Sequence, residues 1–309
     1  MKRIICIALT ALLMALKANA QESVLRIPYG KGEGKSIYGI ISKPTTGKKH
    51  GIAIVSHGFN GSHHFGRDYF KTLNELGYAV YTFDFPNGSV NSLSGNNTLE
   101  MSVSNEKEAL KAIIRHFRSC QDIDKKRIVL IGESQGGLVS ALAAAERKRQ
   151  ISSLILIYPA LCIPDNWNQR YPTPNDIPDV SEIWGVKLGK AFMLDLRHMD
   201  VYHTIGKYHG PVLIIHGTND PVVPIDYSKR AVQTYRNAQL KIIDKAGHGF
   251  NPQQRIMAIC SPVLIKPISI RRQPLTTERL PPFCFRPTCA LGATHRVLGV
   301  LLFAYVEKM

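Results

Sequence analysis

The chain has few cysteines, and they form no recognisable framework. Its 309 residues contain 6 of them. They are Cys6, Cys120, Cys162, Cys260, Cys284 and Cys289. There is no CxxC pair, and the irregular spacing fits neither a disulfide scaffold nor a zinc site. We interpret the cysteines as structural or incidental and predict no bound metal or cofactor.

The N-terminal apolar run is too short to span a bilayer comfortably. It covers residues 4–16, follows the basic pair Lys2 and Arg3, and is followed by Ala18-Asn19-Ala20. This order is typical of a secretory signal peptide that is cleaved after Ala20. We therefore predict an exported protein, secreted or periplasmic, without a stable membrane anchor.

The sequence also lacks a nucleic-acid-binding motif, although it is strongly basic. Lys and Arg number 39 against 23 acidic residues, which gives a formal net charge of +16. The basic residues are scattered along the chain or lie in its two atypical ends. We interpret the charge as mostly solvated surface and predict no nucleic-acid partner.

The most informative motif is G-E-S-Q-G at residues 132–136. An aliphatic, β-branched run at 128–131 stops at Gly132, and an Ala/Leu-rich segment with helical composition follows the motif. Strand, tight turn, serine and helix is the layout of a nucleophile elbow, which holds Ser134 in a strained, exposed position. The flanking glycines are expected because backbone segments approach closely there. We interpret Glu133, next to the serine, as an accommodated polar neighbour.

Strand-like and helix-like segments alternate along most of the chain. Strands are predicted at 24–27, 36–41, 51–56, 79–83, 128–131, 153–158, 212–216 and 240–243, and helices at 69–76, 99–117, 138–147 and 225–235. Strands separated by helices indicate an α/β fold with a mostly parallel, doubly wound sheet. Ligand sites in such sheets lie at the carboxyl ends of the strands.

Residues 159–211 interrupt this alternation between the sixth and seventh strands. The segment contains both tryptophans of the chain, several tyrosines and several prolines. We interpret about 160–210 as a cap inserted over the active site. The alternative is a long surface loop, but structureless loops of that length are uncommon in compact domains.

The composition changes again near residue 255. From Ile256 to the end there are six prolines and only two acidic residues, Glu278 and Glu307. The last helix expected of the domain is not evident. We predict a domain at 21–255 and an atypical tail at 256–309, which is either non-native, such as a shifted reading frame or a fusion, or a disordered extension.

A serine hydroxyl needs a neighbouring base, and the base needs an orienting carboxylate. Asp220 follows the strand at 212–216 in HGTNDPVVP, and His248 follows the strand at 240–243 in AGHGF. Each residue alone is compatible with an ordinary turn. Because Ser, Asp and His occur in the order of this fold class and at strand ends, we predict a catalytic triad of Ser134, Asp220 and His248.

The developing oxyanion needs preorganised donors. The backbone N–H of Gln135, directly after the serine, is the first candidate, and that of Phe59 in the early HGF loop is the second. His57, His63 and His64 suggest a metal, but no carboxylate or cysteine is placed to complete a site. Asp84 precedes the serine in the chain, so we interpret it as a structural turn residue.

The motifs HGFNG, FDFPNG, GESQGG, HGTNDPVVP and AGHGF, spread over residues 25–254, resemble those of α/β-hydrolases, specifically bacterial feruloyl (cinnamoyl) esterases. The resemblance implies the α/β-hydrolase fold, the same triad and the same oxyanion donors. It further implies Asp165 as a contact for a hydroxyl on the aromatic ring, with Tyr158 or Trp167 as walls. Histidine is common in that family where this chain has Glu133.

We predict a serine ester hydrolase that acts on hydroxycinnamate esters of plant cell-wall sugars through an acyl-enzyme. Its expected partner is thus a small-molecule or oligosaccharide ester. The alternatives are a serine peptidase of the prolyl-oligopeptidase type, another short-chain acyl esterase, and a non-catalytic binding module on a hydrolase scaffold.

Overall fold

The computed structural model describes residues 20–30 and 34–259. The predicted signal peptide up to residue 19 and the predicted tail after residue 259 lie outside the described residues. Eight strands of the described chain form one sheet in the order β1-β2-β4-β3-β5-β6-β9-β10. They are β1 (Gln21–Pro28), β2 (Ser36–Lys43), β3 (His50–Ser56), β4 (Tyr78–Phe83), β5 (Ile123–Glu133), β6 (Ser153–Ile157), β9 (Val212–Gly217) and β10 (Ala238–Ile243).

The sheet is mostly parallel. Strand β2 pairs antiparallel with both β1 and β4, and the remaining neighbours are parallel. Every residue of β3 and of β4 is buried, as expected for central strands covered on both faces. The predicted α/β, doubly wound architecture is therefore confirmed.

Helices cover the sheet and connect its strands. They are α1 (Phe70–Glu75), α2 (Val103–Ser119), α3 (Ser134–Glu146), α4 (Ile163–Arg170), α5 (Lys190–Leu196), α6 (Val201–Ile205), α7 (Ile225–Thr234) and α8 (Pro252–Ile259). Helix α2 begins where the Ser102 hydroxyl accepts a hydrogen bond from the Asn105 N–H. Helix α3 is buried from Gln135 to Ala145, so it lies in the interior of the domain.

The predicted cap lies between the sixth and seventh strands of the main sheet, β6 and β9. It contains α4, α5, α6 and a separate antiparallel hairpin of β7 (Val180–Ile183) and β8 (Val186–Gly189). Trp184 and Gly185 form the two-residue tip, with φ of 50° and 76°. Positive φ at both positions is typical of the tight turns that join antiparallel strands.

Helix α8 corrects one expectation. The composition predicts no last helix of the domain, yet α8 spans Pro252–Ile259. The Asn251 side chain accepts from the Gln254 N–H at 2.9 Å, and the Gln254 side chain accepts from the Asn251 N–H at 3.0 Å. This reciprocal cap, with Pro252 at the first helical position, starts the helix. The expectation was wrong because the composition further along the chain obscured this local signal.

Two further observations concern the predictions on cysteine and membrane. Cys120 and Cys162 are free thiols. Within residues 20–30 and 34–259, no helix combines the length and the apolar character that a bilayer span requires.

Candidate active site

Ser134 lies on a sharp turn between β5 and α3. It is the first residue of α3, four residues earlier than the predicted helix start, and its φ is 49°. A side chain rarely adopts this left-handed conformation, which marks a strained position. A Cβ on Gly132 would lie 2.3 Å from the Gly136 carbonyl oxygen, and one on Gly136 would lie 2.3 Å from that of His57. The two glycines of the motif are therefore required by close backbone approach.

The structure brings the three predicted catalytic residues together. His248 Nε2 lies 3.0 Å from Ser134 Oγ, and His248 Nδ1 lies 2.9 Å from Asp220 Oδ2. Asp220 follows β9 and His248 follows β10, so parallel strands deliver both side chains to the edge where Ser134 sits. An Nδ1–H that donates to Asp220 leaves Nε2 free to accept the serine proton.

Asp220 is held as a carboxylate. Its side chain is 1% exposed, and its Oδ1 accepts hydrogen bonds from the Val222 and Val223 N–H groups at 2.9 Å each. Burial opposes ionisation, but the hydrogen bonds from His216, His248 and the backbone outweigh it and hold the pKa of Asp220 well below its usual range. An anionic Asp220 stabilises the imidazolium that forms when His248 takes a proton.

His216 is a supporting residue that the sequence analysis missed. It is the buried histidine of HGTND, and its Nε2 lies 3.3 Å from Asp220 Oδ2 and 2.9 Å from the Val223 carbonyl oxygen. Its Nδ1 lies 2.7 Å from Ser228 Oγ on α7. His216 thus fixes Asp220 relative to α7, and its position four residues before Asp220 is the signal that could have found it.

His57 fixes the loop that carries the predicted oxyanion donor Phe59. The Phe85 N–H donates to His57 Nε2 at 3.1 Å, so the ring proton lies on Nδ1 and donates to the Gly58 carbonyl oxygen at 2.7 Å. Burial lowers the pKa of His57, which keeps the ring neutral in this role. The loop runs close to the nucleophile, because a Cβ on Gly58 would lie 3.1 Å from Ser134 Cβ. Phe59 follows directly.

Gln135 carries the other predicted oxyanion donor, its backbone N–H. As the second residue of α3, it has a backbone N–H without a partner inside the helix. Its side-chain amide donates to Glu106 of α2 at 2.9 and 3.0 Å. Burial raises the pKa of Glu106 to about 8, while the bond from Gln135 opposes the rise. The buried Gln135–Glu106 pair fixes the start of α3 against α2.

Two of the three predicted substrate contacts, Tyr158 and Trp167, are buried. Tyr158 is 1% exposed, and its ring packs against His248 and Phe250. Trp167 is 8% exposed and packs between Tyr171 and Phe192, inside the cap. Both rings are covered by tertiary packing, which the sequence does not reveal.

Asp165 lies in the first turn of α4 and is exposed. Its Oδ2 accepts a hydrogen bond from the Tyr227 hydroxyl of α7 at 2.9 Å. Its contact with a substrate stays a prediction.

Trp184, at the tip of the β7–β8 hairpin, is the exposed aromatic of the cap. Its side chain is 68% exposed, and its ring meets the Phe59 ring edge-on with centroids 5.8 Å apart. The cap therefore contacts the loop of the predicted oxyanion donor.

The other histidines of the early loop have protein partners. His63 Nδ1 lies 2.8 Å from Asp84 Oδ1, and the Leu93 N–H donates to Asp84 Oδ2 at 2.8 Å. Asp84 thus connects two loops. The histidine that contacts its carboxylate is His63, not the candidate base His248. In the part of the chain that the structure describes, no cluster of three His, Cys, Asp or Glu side chains could hold a metal ion.

Two successive segments of the sequence match known protein families. The "alpha/beta hydrolase fold" family matches residues 54–192, and the "TAP-like protein" family matches residues 198–259. The second match ends at the last residue of α8. Together the matches cover the elbow, the cap, Asp220 and His248.

The chain is also similar to individual known proteins. Est1E from Butyrivibrio proteoclasticus with ferulic acid bound is 26% identical, with a TM-score of 0.67 over 76% of this chain and 95% of that one. Est1E alone gives a TM-score of 0.65. A protein named putative esterase/lipase 2 from Mycoplasma pneumoniae is 30% identical over 117 residues, and the match spans 36% of this chain and 38% of that relative. The chain has the α/β-hydrolase fold, and its residues 54–192 match that family.

Proposed function

We propose that the protein is a serine carboxylic-ester hydrolase that works through an acyl-enzyme. The observation that carries the proposal is the continuous hydrogen-bonded series Ser134, His248 and Asp220, with Ser134 held at a φ of 49°. This is the arrangement that activates a serine hydroxyl for attack on a carbonyl carbon.

In the first half of the reaction, Ser134 Oγ attacks the ester carbonyl carbon while His248 Nε2 takes the hydroxyl proton. The Phe59 and Gln135 N–H groups donate to the oxygen that becomes negative. When the tetrahedral intermediate collapses, the ester C–O bond breaks and the imidazolium gives its proton to the departing alcohol.

In the second half, His248 takes a proton from water, and the hydroxide oxygen attacks the acyl carbon. Collapse of the second intermediate breaks the bond to Ser134 Oγ, which receives the proton from His248. The carboxylic acid is released, and the resting serine is regenerated.

The substrates we propose are hydroxycinnamate esters of plant cell-wall sugars. The likeness to Est1E, whose structure holds ferulic acid, supports this class. The exposed Trp184 ring beside Phe59 supports it too, because a flat aromatic acyl group can stack on or against such rings. Asp165 is the proposed acceptor for a hydroxyl on that ring.

Hydrolysis of three substrates tests the proposal: methyl ferulate, 4-nitrophenyl acetate and an aminoacyl anilide. We expect turnover of methyl ferulate with the highest kcat/KM, and loss of turnover in Ser134→Ala with unchanged thermal unfolding. Hydrolysis of the anilide but of neither ester would contradict the esterase proposal and identify a peptidase. Preference for the acetate would leave a serine esterase of a different acyl specificity.

We also propose that the protein is exported, because residues 1–20 have the order of a signal peptide. Mass spectrometry of the protein from culture medium or periplasm should find an N-terminus at Gln21. An intact N-terminus on protein confined to the cytoplasm would contradict export.

A further inference from the structure

Glu133, the last residue of β5, connects two loops of the candidate site. Its carboxylate lies against Gly58, in the loop that precedes Phe59: a Cβ on that glycine would lie 3.6 Å from Glu133 Oε1, and the Gly58 backbone N–H favours the ionised acid. It also accepts a short hydrogen bond from the Tyr158 hydroxyl, directly after β6. Both neighbours are donors, so an ionised carboxylate satisfies them at the same time.

Tyr158 extends this connection to the loop of His248. Its hydroxyl donates to Glu133, and its ring meets the Phe250 ring edge-on, with centroids 4.7 Å apart. Its ring packs against the His248 ring, with centroids 4.6 Å apart. The Phe250 carbonyl oxygen in turn accepts from the Arg255 guanidinium of α8. One series of contacts therefore runs from Gly58 through Glu133 and Tyr158 to Phe250.

We propose that Glu133 is a positioning residue for the esterase reaction, and that it holds the Phe59 loop and the His248 loop in register only while it is a carboxylate. The inference rests on the proposed function, since it assigns Glu133 a part in the same site. It replaces the interpretation of Glu133 as a merely accommodated neighbour of the serine.

The protonated acid cannot do the same work. One of its oxygens becomes a donor and loses its negative charge, whereas the Gly58 N–H and the Tyr158 hydroxyl both face it as donors. Protonation therefore weakens the attraction of the carboxyl group for both donors. The connection between the loops weakens.

The surroundings place this protonation near neutral pH. Burial raises the pKa of Glu133 to about 7, against the opposing effects of Tyr158, Arg255 and His248. Tyr69 is the other titratable group that interacts with it. Because the pKa is raised, the connection is complete above about pH 7 and is lost as the pH falls through that value.

The test is the rate at which Ser134 is labelled by an aryl phosphonofluoridate, with kcat and KM on 4-nitrophenyl acetate alongside. The label uses the nucleophile, the base and the oxyanion donors whatever the acyl specificity of the enzyme. The variants are Glu133→Gln, Tyr158→Phe and the double variant. Glu108→Gln on the surface of α2 is the matched control, since Glu108 pairs only with Lys111 in the described contacts.

At pH 8.5 we expect each single variant to lower kcat and the labelling rate about tenfold, a fraction of the effect of deleting an oxyanion donor, with KM changed less than about threefold. The double variant should be no slower than the slower single variant, because both break one connection. Effects within about twofold of wild type, or effects that multiply, would overturn the inference.

The pH profile separates positioning from simple structural support. The ratio of wild-type to Glu133→Gln rates should fall from about tenfold at pH 8.5 to below about threefold at pH 6, since wild type loses its own connection there. A constant ratio would contradict the proposal.

Glu133→Asp keeps the charge and should retain the pH-dependent ratio with a smaller loss of rate. If Glu133→Gln does not fold, Glu133→Asp and Tyr158→Phe provide the test in its place. Wild type that fails to label at Ser134 would overturn the proposed function and the inference together. Wild type that labels normally, with variants equal to it, would overturn the inference alone.

Discussion

Arg255 and Asp68 form an ion pair, with Nε 2.8 Å from Oδ2, that fastens α8 to the 3-10 turn Arg67–Tyr69 after the early loop. The same guanidinium donates to the Phe250 carbonyl oxygen, two residues after His248. Helix α8, which the composition did not indicate, thus fixes the loop that carries the candidate base His248.

Arg255→Gln should therefore destabilise the domain and slow the reaction. We expect the free energy of unfolding to fall by about 2 kcal/mol, the usual size for hydrogen bonds to a charged group, with a lower kcat and little change in KM. Urea denaturation and steady-state kinetics measure both. Lys229→Gln removes a more exposed ion pair with Asp226 and should change neither. If the two variants had the same free energy of unfolding and the same kcat, Arg255 would not hold the His248 loop.

Asp220→Asn should lower kcat by about 10⁴-fold with little loss of fold. An amide cannot hold the Nδ1 proton of His248 in place, so Nε2 is no longer poised to accept from Ser134. Oδ1 can still accept from Val222 and Val223, which preserves the turn. Kinetics on an aryl ester, with circular dichroism as the fold control, decides the outcome. The exposed Asp226→Asn is the control substitution, and an Asp220→Asn enzyme within tenfold of wild type would remove Asp220 from the triad.

Gly136→Ala should prevent stable folding. Its new methyl group would lie 2.3 Å from the His57 carbonyl oxygen and 2.6 Å from that of Ser56, both in backbone that cannot give way. Gly247→Ala is the contrast, because its nearest neighbour would lie at an ordinary 3.5 Å. Thermal unfolding of both compares them. A Gly136→Ala protein as stable as wild type would mean that the elbow tolerates a wider backbone.

Glu106→Gln should make stability less dependent on pH. Burial raises the pKa of Glu106 to about 8 in the folded chain, against an ordinary value of 4.5. The folded state then holds a proton that the unfolded state releases, so wild type loses stability as pH rises from about 4.5 to about 8. Urea denaturation at pH 5.5 and pH 8 measures the free energy of unfolding. Relative to wild type, this free energy should be higher for Glu106→Gln at pH 8 than at pH 5.5, and it should not change in this way for Glu108→Gln. The same change in both variants would contradict this explanation.

The sequence was sufficient for the alternation of strands and helices, the insertion after the sixth strand and the three residues Ser134, Asp220 and His248. These follow from local patterns, because parallel strands end at the same edge of a sheet. The surroundings of Tyr158 and Trp167 were not predictable, since burial of an aromatic ring depends on segments far away in the chain. Glu133 was undervalued for the same reason: its partners, Gly58 and Tyr158, lie 75 positions before it and 25 after it.

The difference between the two tryptophans gives the protein an internal optical probe. The chain has only Trp167 and Trp184, and the first is 8% exposed while the second is 68% exposed. An aqueous quencher such as iodide therefore reaches the hairpin tip and not the interior of the cap. A ligand that binds beside Phe59 will shield Trp184 from the quencher while the emission of Trp167 stays constant, so occupancy can be followed without labelling the protein.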